Sequence, residues 1–318
     1  MPICSKLPSP RGGVKDIGGG ELEILMRTDL KCSLETGKYL PKELFYVDSP
    51  WPGSDVSDQT RGETEILQSL ATKIVNQVKN WPNFLIVDLG SGKSPKTRIL
   101  LDKLESQKCQ CRYWAVEINK KSLESNVQHL NELYSFVECS GLYGTFDQAI
   151  EMAKTISGKK IIMSLGSTAA NFPHGQAVEN LQSYCEVGDL LVLGQQGPDG
   201  TVSHHEAYHT EQFEEFIWGG LQTANRILGT TMFNPEDWKT RCNIESGPWK
   251  HEFIFIHRDK KFPAFASYKY KESEFSDIIK LAGALPPKIY RHDETGMRIY
   301  LVDSEKRLKN NTHELRGR

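Results

Sequence analysis

The sequence predicts an α/β protein with a mainly parallel sheet that helices cover on both faces. Short, continuous apolar runs alternate with amphipathic helical segments between about residues 84 and 194. Parallel strands need helical crossovers and are buried on both faces, so they appear in a sequence as unbroken apolar runs. Glycines and acidic residues follow the first two runs, and open α/β sheets bind their ligands outside the carboxyl ends of the strands.

Five strands are predicted in the first half of the chain. They are FLIVDLG (84–90), YWAVEI (113–118), SFVECS (135–140), IIMSLG (161–166) and DLLVLG (189–194). A helix over residues 60–80 precedes them, because apolar residues recur at helical spacing and Thr60 and Glu63 form a capping-box pattern. Ser94 and Pro95 have the residue types of an N-cap and a first helical position, which predicts a helix to about residue 107. A further helix is expected to end near residue 131.

The pattern changes after residue 195. A glycine-rich loop leads into a helical stretch, which is followed by a hairpin-like pair, another helix and two last strands; these elements are predicted at 205–228, 250–257 with 262–270, 272–282, 287–292 and 297–303. Residues 1–20 are rich in Pro, Gly and charge and predict a flexible arm, and the polar C-terminal residues are expected to fray.

Composition excludes several classes of protein. The 318 residues carry a net charge of -2, so no basic field indicates nucleic-acid binding. No run of about 18 apolar residues predicts a membrane span, and the N-terminus lacks the apolar region of a secretory signal. The seven scattered cysteines indicate reduced thiols and hence a cytoplasmic protein. We expect a small-molecule partner, no nucleic acid and no membrane; the oligomeric state stays open, with a monomer favoured.

The residues at the strand ends predict a nucleoside site. The first strand ends in Asp88, Gly90, Ser91 and Gly92, and the second ends in Glu117. Glycines let a ligand approach the backbone, and a carboxylate at the second strand suits the two hydroxyls of a ribose. Each of the two acids is, taken alone, equally compatible with a cap or a solvated strand end.

Two phosphate-binding patterns are incomplete at the first strand end. A P-loop requires glycine at position 87, which is Val87, and the dinucleotide pattern requires glycine at position 95, which is Pro95. Acidic strand ends without a phosphate loop suit a cationic, phosphate-free nucleoside, and S-adenosylmethionine has that chemistry. After the third strand, Thr145, Phe146 and Asp147 are an aromatic and acidic group that suits adenine.

Six segments carry a resemblance when they are taken together. VDLGSG, KTRILL, YWAVEI, LYGTFDQA, LGSTAANF and SYKY, in this order, resemble the S-adenosylmethionine-dependent histidine-specific N-methyltransferases. That family includes the histidine trimethyltransferase of the ergothioneine pathway, and its relatives methylate tryptophan or dimethylallyltryptophan. The resemblance covers about residues 40–270. It implies S-adenosylmethionine as co-substrate and adds Lys96 and Gly166 to the predicted donor site.

The resemblance also implies an architecture. It is a Rossmann-like class I methyltransferase core with a second, smaller α+β substrate lobe. We predict the core at 61–196 and 269–318, and the substrate-binding lobe at 21–60 and 197–268, after the arm at 1–20.

The resemblance assigns the substrate site residue by residue. Asn171 matches an asparagine that bonds the substrate amine, and its amide oxygen accepts from an amine without holding it as ammonium. Tyr208 falls at a tyrosine that binds the carboxylate, Tyr46 at one that lines the amine, and Ser267 at a substrate-side serine. We predict Tyr46 and Asn171 as catalytic, with Tyr46 accepting or relaying the proton.

Two departures bear on the substrate. The histidine enzymes have a glutamate that grips the imidazole two residues before the serine, and here that residue is Phe265. The family's Y-P-T-R turn also lacks its tyrosine, because Asp58 stands there. Phenylalanine removes a charge-assisted partner for imidazole and offers an apolar surface to an indole. The sequence therefore favours L-tryptophan or a tryptophan derivative, with histidine Nα-methylation as the alternative.

One motif predicts different chemistry. His205, Glu206 and His209 form H-E-x-x-H, which on a helix binds zinc in hydrolases. No third ligand is evident, and zinc would not explain the first half of the chain, so we predict no metal. A degenerate methyltransferase fold that only binds a metabolite is a further alternative, and failure to bind the donor would favour it.

Overall fold

The larger part of the protein is one open sheet. The structure, a computed structural model, describes residues 12–48, 57–92, 95–200, 208, 210–246, 249–258 and 260–304. The sheet has eight strands: β1 (Val14–Asp16), β2 (Phe84–Leu89), β3 (Cys111–Glu117), β4 (Val137–Tyr143), β5 (Lys160–Ser164), β6 (Leu190–Gln196), β10 (Lys288–His292) and β11 (Met297–Asp303). Their order is β1-β4-β3-β2-β5-β6-β11-β10. The first six strands in this order are parallel, and β11 is antiparallel to both of its neighbours.

Helices cover both faces of this sheet. One face packs against α2 (Asp58–Val78), α3 (Pro95–Ser106) and α4 (Lys120–Leu133), and the other against α5 (Phe146–Lys154), α6 (His174–Val187) and α8 (Glu272–Leu281). Every residue of β2, β5 and β6 is buried, which is why a continuous apolar run marks each of these strands in the sequence. The predicted fold class is confirmed.

A smaller group of elements lies beside the sheet. It consists of α1 (Leu22–Thr36), a 3-10 helix (Lys42–Phe45), α7 (Glu211–Leu228) and a three-stranded antiparallel sheet of β7 (Lys239–Ser246), β8 (Trp249–His257) and β9 (Lys260–Tyr268). These elements share one apolar cluster that is separate from the two clusters of the large sheet. The exact division of the chain into core and lobe stays a prediction.

The strand order places a binding crevice at the centre of the large sheet. From β2 the chain builds outward to β3 and β4, and then returns to place β5 and β6 on the other side of β2. The carboxyl ends of β2 and β5 therefore separate at a switch point, where such sheets bind ligands. The loops after β2, β3, β4 and β5 all open at this edge.

Several local predictions are wrong. The arm predicted over 1–20 contains a strand, because β1 pairs with β4 at the sheet edge, while residues 1–11 lie outside the described part. The capping box of Thr60 and Glu63 does not form. Ser57 is the N-cap of α2 and accepts a hydrogen bond from the Thr60 backbone N–H. The helix predicted from residue 205 begins at Glu211.

Candidate active site

A cavity of about 480 Å³ lies at the switch point and extends toward the smaller sheet. It brings together every predicted site residue except Asp147: Tyr46, Asp88, Gly90, Ser91, Gly92, Lys96, Glu117, Thr145, Phe146, Gly166, Asn171, Tyr208, Phe265 and Ser267. The contacts below divide it into a nucleoside end, formed by the loops after β2, β3 and β4, and a second end, formed with the lobe.

The glycine loop after β2 is fixed by neighbouring strands. Gly90 and Gly92 have φ values of +81° and +52°, which glycine adopts without a side-chain penalty. The backbone N–H of Gly92 donates to a Glu117 carboxylate oxygen at 3.2 Å. A Cβ at Gly90 would lie 3.4 Å from the ring of Phe146, so the loop approaches that ring closely. Gly90 and the Phe146 ring therefore lie side by side on the cavity wall.

Glu117 and Asp88 are both buried carboxylates at this end. Glu117 also accepts from the backbone N–H of Ile118 at 2.8 Å, and burial raises its pKa above the usual range. Asp88 accepts from the hydroxyls of Thr97 at 2.8 Å and Tyr113 at 2.7 Å, and burial raises its pKa as well. Asp88 therefore fixes the strand end, while Glu117 lines the cavity with lone pairs beyond those its backbone partners use.

The nucleoside end contains one unsatisfied polar atom. The hydroxyl of Ser91 is buried and has no hydrogen-bond partner among the described residues. Buried hydroxyls are nearly always paired, so this one fits a polar group of a bound ligand. Together with the close approach at Gly90, it shows that this end fits a nucleoside carrying a polar tail.

Two of the three residues predicted to bind adenine line the cavity, and the third does not. Thr145 caps α5, accepting from the Gln148 backbone N–H, and lines the cavity with Phe146. Asp147 is exposed in the first turn of α5 and does not line the cavity. A negative charge in the first turn of a helix stabilises the helix through its dipole. Adjacency in sequence could not show that Phe146 and Asp147 face different ways.

Lys96 lines the cavity, and its charge is held by Glu63, a residue that the sequence analysis included only as a capping-box partner. Its ammonium lies 2.5 Å from a carboxylate oxygen of Glu63, which is fully buried. Glu63 also accepts from the backbone N–H of Gly166 at 2.9 Å. Glu63 lies on the apolar stripe of α2 with Ile66 and Leu70, and an acid in such a stripe needs a partner. That signal was readable in the sequence.

The segment after β5 forms a tight corner. Gly166 and Ser167 both have positive φ, at +70° and +60°. The Ser167 hydroxyl accepts from the backbone N–H of Gln196 at 2.7 Å, which ties the corner to β6. The Asn171 amide oxygen accepts from the backbone N–H of Tyr268 at 2.9 Å, which ties it to β9. Asn171 thus joins the sheet to the lobe and has one further lone pair at its amide oxygen.

The second end is formed by Tyr208, by Ser267 of β9 and by Lys269, which follows β9. The hydroxyls of Tyr208 and Ser267 lie 2.7 Å apart. The ammonium of Lys269, a buried residue, donates to the side chain of Gln196 at 2.9 Å and lies 5.6 Å from the centre of the Tyr208 ring. Lys269 was not predicted. These groups give this end hydroxyl and cationic donors that suit an anionic ligand group.

Phe265 contributes an apolar wall to the second end. Its ring packs edge-on against Phe45, with ring centres 5.6 Å apart, and against Phe253 at 5.9 Å. It is almost fully buried, so only a small part of the ring reaches the cavity. Lys42, a further residue that the sequence analysis did not include, lies over this ring with 5.4 Å between its Nζ and the ring centre.

The pKa of Tyr46 responds to titratable groups at both ends of the cavity. Burial raises its pKa well above the usual value, and the nearby Tyr208 and Glu117 raise it further. A phenol with so high a pKa keeps its own proton at neutral pH. The raised pKa disfavours Tyr46 as a proton acceptor, and the role predicted for it in accepting or relaying the proton stays a prediction; its side chain lines the cavity.

Asp58, which replaces the family's tyrosine, does not line the cavity. Asp58 pairs with Arg61 at 3.0 Å on the surface, while the neighbouring Gln59 lines the cavity instead. His205, Glu206 and His209 of the H-E-x-x-H motif lie outside the described residues. Within the described part of the chain, no cluster of metal-ligating side chains is found.

The chain belongs to the family described as histidine-specific methyltransferases, S-adenosylmethionine-dependent, whose model matches residues 58–304. The match includes the H-E-x-x-H segment, so the zinc-hydrolase alternative is not pursued. The predicted family is confirmed, and with it the predicted class of co-substrate.

Several named proteins are similar to the chain. "Ergothioneine biosynthesis protein 1" of Neurospora crassa is 30% identical over 57% of this chain and 21% of that protein. "4-dimethylallyltryptophan N-methyltransferase ifgB" of Penicillium roqueforti is 26% identical over 78% of this chain and 84% of that protein. "Histidine N-alpha-methyltransferase" of Mycobacterium tuberculosis is 29% identical over 54% of this chain and 55% of that protein. The chain spans about half or less of the length of several such relatives.

Proposed function

We propose that the protein transfers a methyl group from S-adenosylmethionine to the α-amino group of an L-amino acid. The observation that carries this proposal is one cavity with two chemically different ends. Glu117 lines the nucleoside end, where Glu63 neutralises Lys96. Lys269, Tyr208 and Asn171 line the other. An acidic end suits a cationic nucleoside, and a cationic end suits a carboxylate.

The chain's own residues would bind and aim the two reactants. The donor supplies a methyl group on a sulfonium. Glu117 would bind the ribose hydroxyls, Phe146 would stack on adenine, and the Ser91 hydroxyl would bond the amino-acid portion of the donor. Such positioning converts a bimolecular encounter into an effectively unimolecular step, which is worth roughly 7–11 kcal/mol when the geometry is good.

At the second end, Tyr208 and Lys269 would bind the substrate carboxylate. Asn171 would direct the amine lone pair through the remaining lone pair of its amide oxygen, since an acceptor beside the amine orients its N–H groups. Phe265 and Ser267 would contact the side chain. Tyr46, next to both Glu117 and Tyr208, would line the space between the reactants.

We propose L-tryptophan or a tryptophan derivative as the substrate. Phe265 and Phe172 line the cavity, and no carboxylate stands at position 265 to grip an imidazole. Relatives named for dimethylallyltryptophan methylation match most of this chain. Histidine is the second candidate, because Glu43 lines the cavity beside Lys42 and the family is described as histidine-specific.

The test is a direct product assay. The protein is incubated with S-adenosylmethionine and, separately, L-tryptophan, 4-dimethylallyl-L-tryptophan and L-histidine, and products are read by mass for gains of one, two or three methyl groups. A methylated tryptophan or derivative is expected. Methylated histidine alone would contradict the substrate assignment and leave the reaction intact. Absence of S-adenosylhomocysteine binding by calorimetry would contradict the proposed function and favour a degenerate fold.

The setting of the protein is part of the same proposal. We propose a monomeric cytoplasmic enzyme whose partner is a small molecule. The free cysteines support this: Cys32, Cys109, Cys111, Cys139, Cys185 and Cys242 form no disulfide. In the described part of the chain, no helix has the length and apolar character needed to cross a membrane. Gel filtration at micromolar concentration tests the oligomeric state.

A further inference from the structure

Lys42 brings an amine into the wall of the cavity. It begins the 3-10 helix that precedes Tyr46, and its side chain is only partly exposed. Its Nζ donates to the backbone carbonyl of Asn171. Lys42 therefore contacts the backbone of the residue whose side chain is proposed to bind the substrate amine.

Aromatic rings surround the Lys42 nitrogen. Their centres lie 4.7 Å away for Phe172, 5.4 Å for Phe265 and 6.0 Å for Tyr268. Aromatic faces attract a cation only modestly, by about 0.5–2 kcal/mol, and do not replace the water that an ammonium loses on burial. The surroundings therefore tolerate a charged amine but do not hold it strongly in that form.

No carboxylate compensates the charge of Lys42. Among the described residues, no acid lies within ion-pairing distance of its Nζ, and Glu43 is the one charged group whose field raises its pKa. Tyr268 faces it from β9, and the other titratable groups on the cavity wall are Tyr46, Tyr208, Asp88, Glu117, Lys96 and Lys269. The two acids belong to the nucleoside end, and Lys96 is held by Glu63.

Burial lowers the pKa of Lys42 from its usual 10.5 to about 7. Near neutral pH a large fraction of the side chain is then the free amine, which has a lone pair. In that form one N–H still bonds the Asn171 carbonyl, while the lone pair is available to the cavity. Tyr46, whose pKa is raised, has no such capacity to take up a proton.

We propose that Lys42 is the base that accepts the proton from the α-ammonium of the substrate before methyl transfer. The inference rests on the proposed function. The neutral Lys42 amine takes one proton and becomes an ammonium, and the substrate ammonium becomes a neutral amine with a free lone pair. The amine nitrogen then forms a bond to the methyl carbon as the carbon–sulfur bond breaks, and the electron pair of that bond stays on sulfur.

The same step serves repeated methylation. Each transfer leaves the product nitrogen as an ammonium, so a further methyl requires another proton to leave. Lys42 loses its proton to solvent between turnovers because its surroundings disfavour the charged form. An incoming ammonium reinforces this, since two like charges in one buried site cannot both be stable. Lys42 and the substrate amine therefore share one proton.

The first experiment measures turnover against pH for the wild type, Lys42→Met and Lys42→Arg. The substrate is whichever of L-tryptophan, 4-dimethylallyl-L-tryptophan and L-histidine the wild type methylates. Wild-type kcat should reach its plateau just above pH 7. Both variants should lose about 100-fold or more in kcat at pH 7, because base catalysis contributes 10²–10⁴-fold. Their rates should keep rising to about pH 9, where the substrate ammonium loses its proton without a base. A variant with the wild-type plateau would overturn the proposal.

The variants need a folding control. The pKa of Lys42 is lower in the folded protein than in the unfolded chain, so between about pH 7 and 10 the unfolded chain binds more protons and stability rises with pH. Removing the amine removes this penalty, and Lys42→Met should fold at neutral pH. Unchanged S-adenosylhomocysteine affinity by calorimetry shows an intact nucleoside end. Loss of that affinity in the wild type would contradict the proposed function rather than the role of Lys42.

A second experiment needs no turnover. Acetic anhydride acylates only neutral amines, so competitive labelling from pH 5.5 to 10 with peptide mass spectrometry reports the protonation of each lysine. The exposed Lys121 serves as the internal reference. Lys42 labelling should have a midpoint near pH 7. If the labelling midpoint of Lys42 coincided with that of Lys121, Lys42 would be charged at neutral pH and would be excluded as the base.

Discussion

The buried pair of Glu63 and Lys96 makes a quantitative prediction. The Glu63 side chain is 0% exposed and that of Lys96 is 10% exposed. Glu63→Ala removes the partner of a buried ammonium and also leaves the backbone N–H of Gly166 without its acceptor. Breaking a buried pair from one side costs about 3–5 kcal/mol, so we expect a loss of that size in the free energy of unfolding.

The double variant separates the pair from the rest of the site. Lys96→Met alone should cost a similar amount, since it leaves the Glu63 charge with the Gly166 N–H. Glu63→Ala with Lys96→Met removes both charges and leaves mainly the unsatisfied Gly166 N–H, for about 1–3 kcal/mol. The double variant should therefore be more stable than either single variant. Additive losses would contradict an interaction between the two charges.

Urea unfolding followed by fluorescence and by circular dichroism measures these differences, and coincident transitions justify the two-state treatment. The surface pair of Lys154 and Glu151 is the matched control, because it has the same short contact, 2.6 Å, with side chains 38% and 68% exposed. Lys154→Met should change stability far less than Glu63→Ala does, because solvent screens an exposed pair. A Glu63→Ala loss no larger than this control would refute the reasoning from burial.

Four further predictions concern the cavity. Glu117→Ala should weaken S-adenosylhomocysteine binding about tenfold to a hundredfold by calorimetry, whereas Asp147→Ala should not, and equal effects would reverse their assignments. Because burial raises the pKa of Glu117 and a cationic donor favours its ionised form, S-adenosylmethionine affinity should fall as the pH drops through that raised pKa; a flat titration would count against the ribose contact. Asn171→Ala should lower kcat more than donor affinity, and both quantities are measured on one preparation. Phe265→Glu should raise the ratio of kcat/KM for histidine over tryptophan, and an unchanged ratio would exclude position 265 as a selector.

The strands of the large sheet were predictable because burial leaves a direct trace. Each of β2, β5 and β6 contains a continuous run of three or four apolar residues. β1 and β7 lack this trace. β1 is three residues long at the sheet edge, and β7 is the edge strand of a small sheet with Ile244 exposed. Edge strands bury little, so their sequences need not be apolar.

The site was predictable where backbone and strand ends define it, and less so where side-chain direction does. Topology alone brings strand ends together, and it places there Gly90 and Asn171, which follow strands, and Glu117, which ends one. Asp147 failed because a helix turns neighbouring residues to different sides. Lys42 and Lys269 were missed because a lysine is ordinary on a surface. Only their packing against the aromatic residues of a distant segment gives them a role.

The cluster shared by α1 and α7 has a consequence for the order of synthesis. The buried face of α1, with Leu22, Met26 and Leu30, packs in the same apolar cluster as Phe216 and Leu221 of α7. Roughly 175 residues separate the two helices, and at about 5–20 residues per second a ribosome needs on the order of 10–35 s to make them. The apolar face of α1 therefore has no α7 to pack against while the central strands are made. The second end of the cavity is completed late in translation.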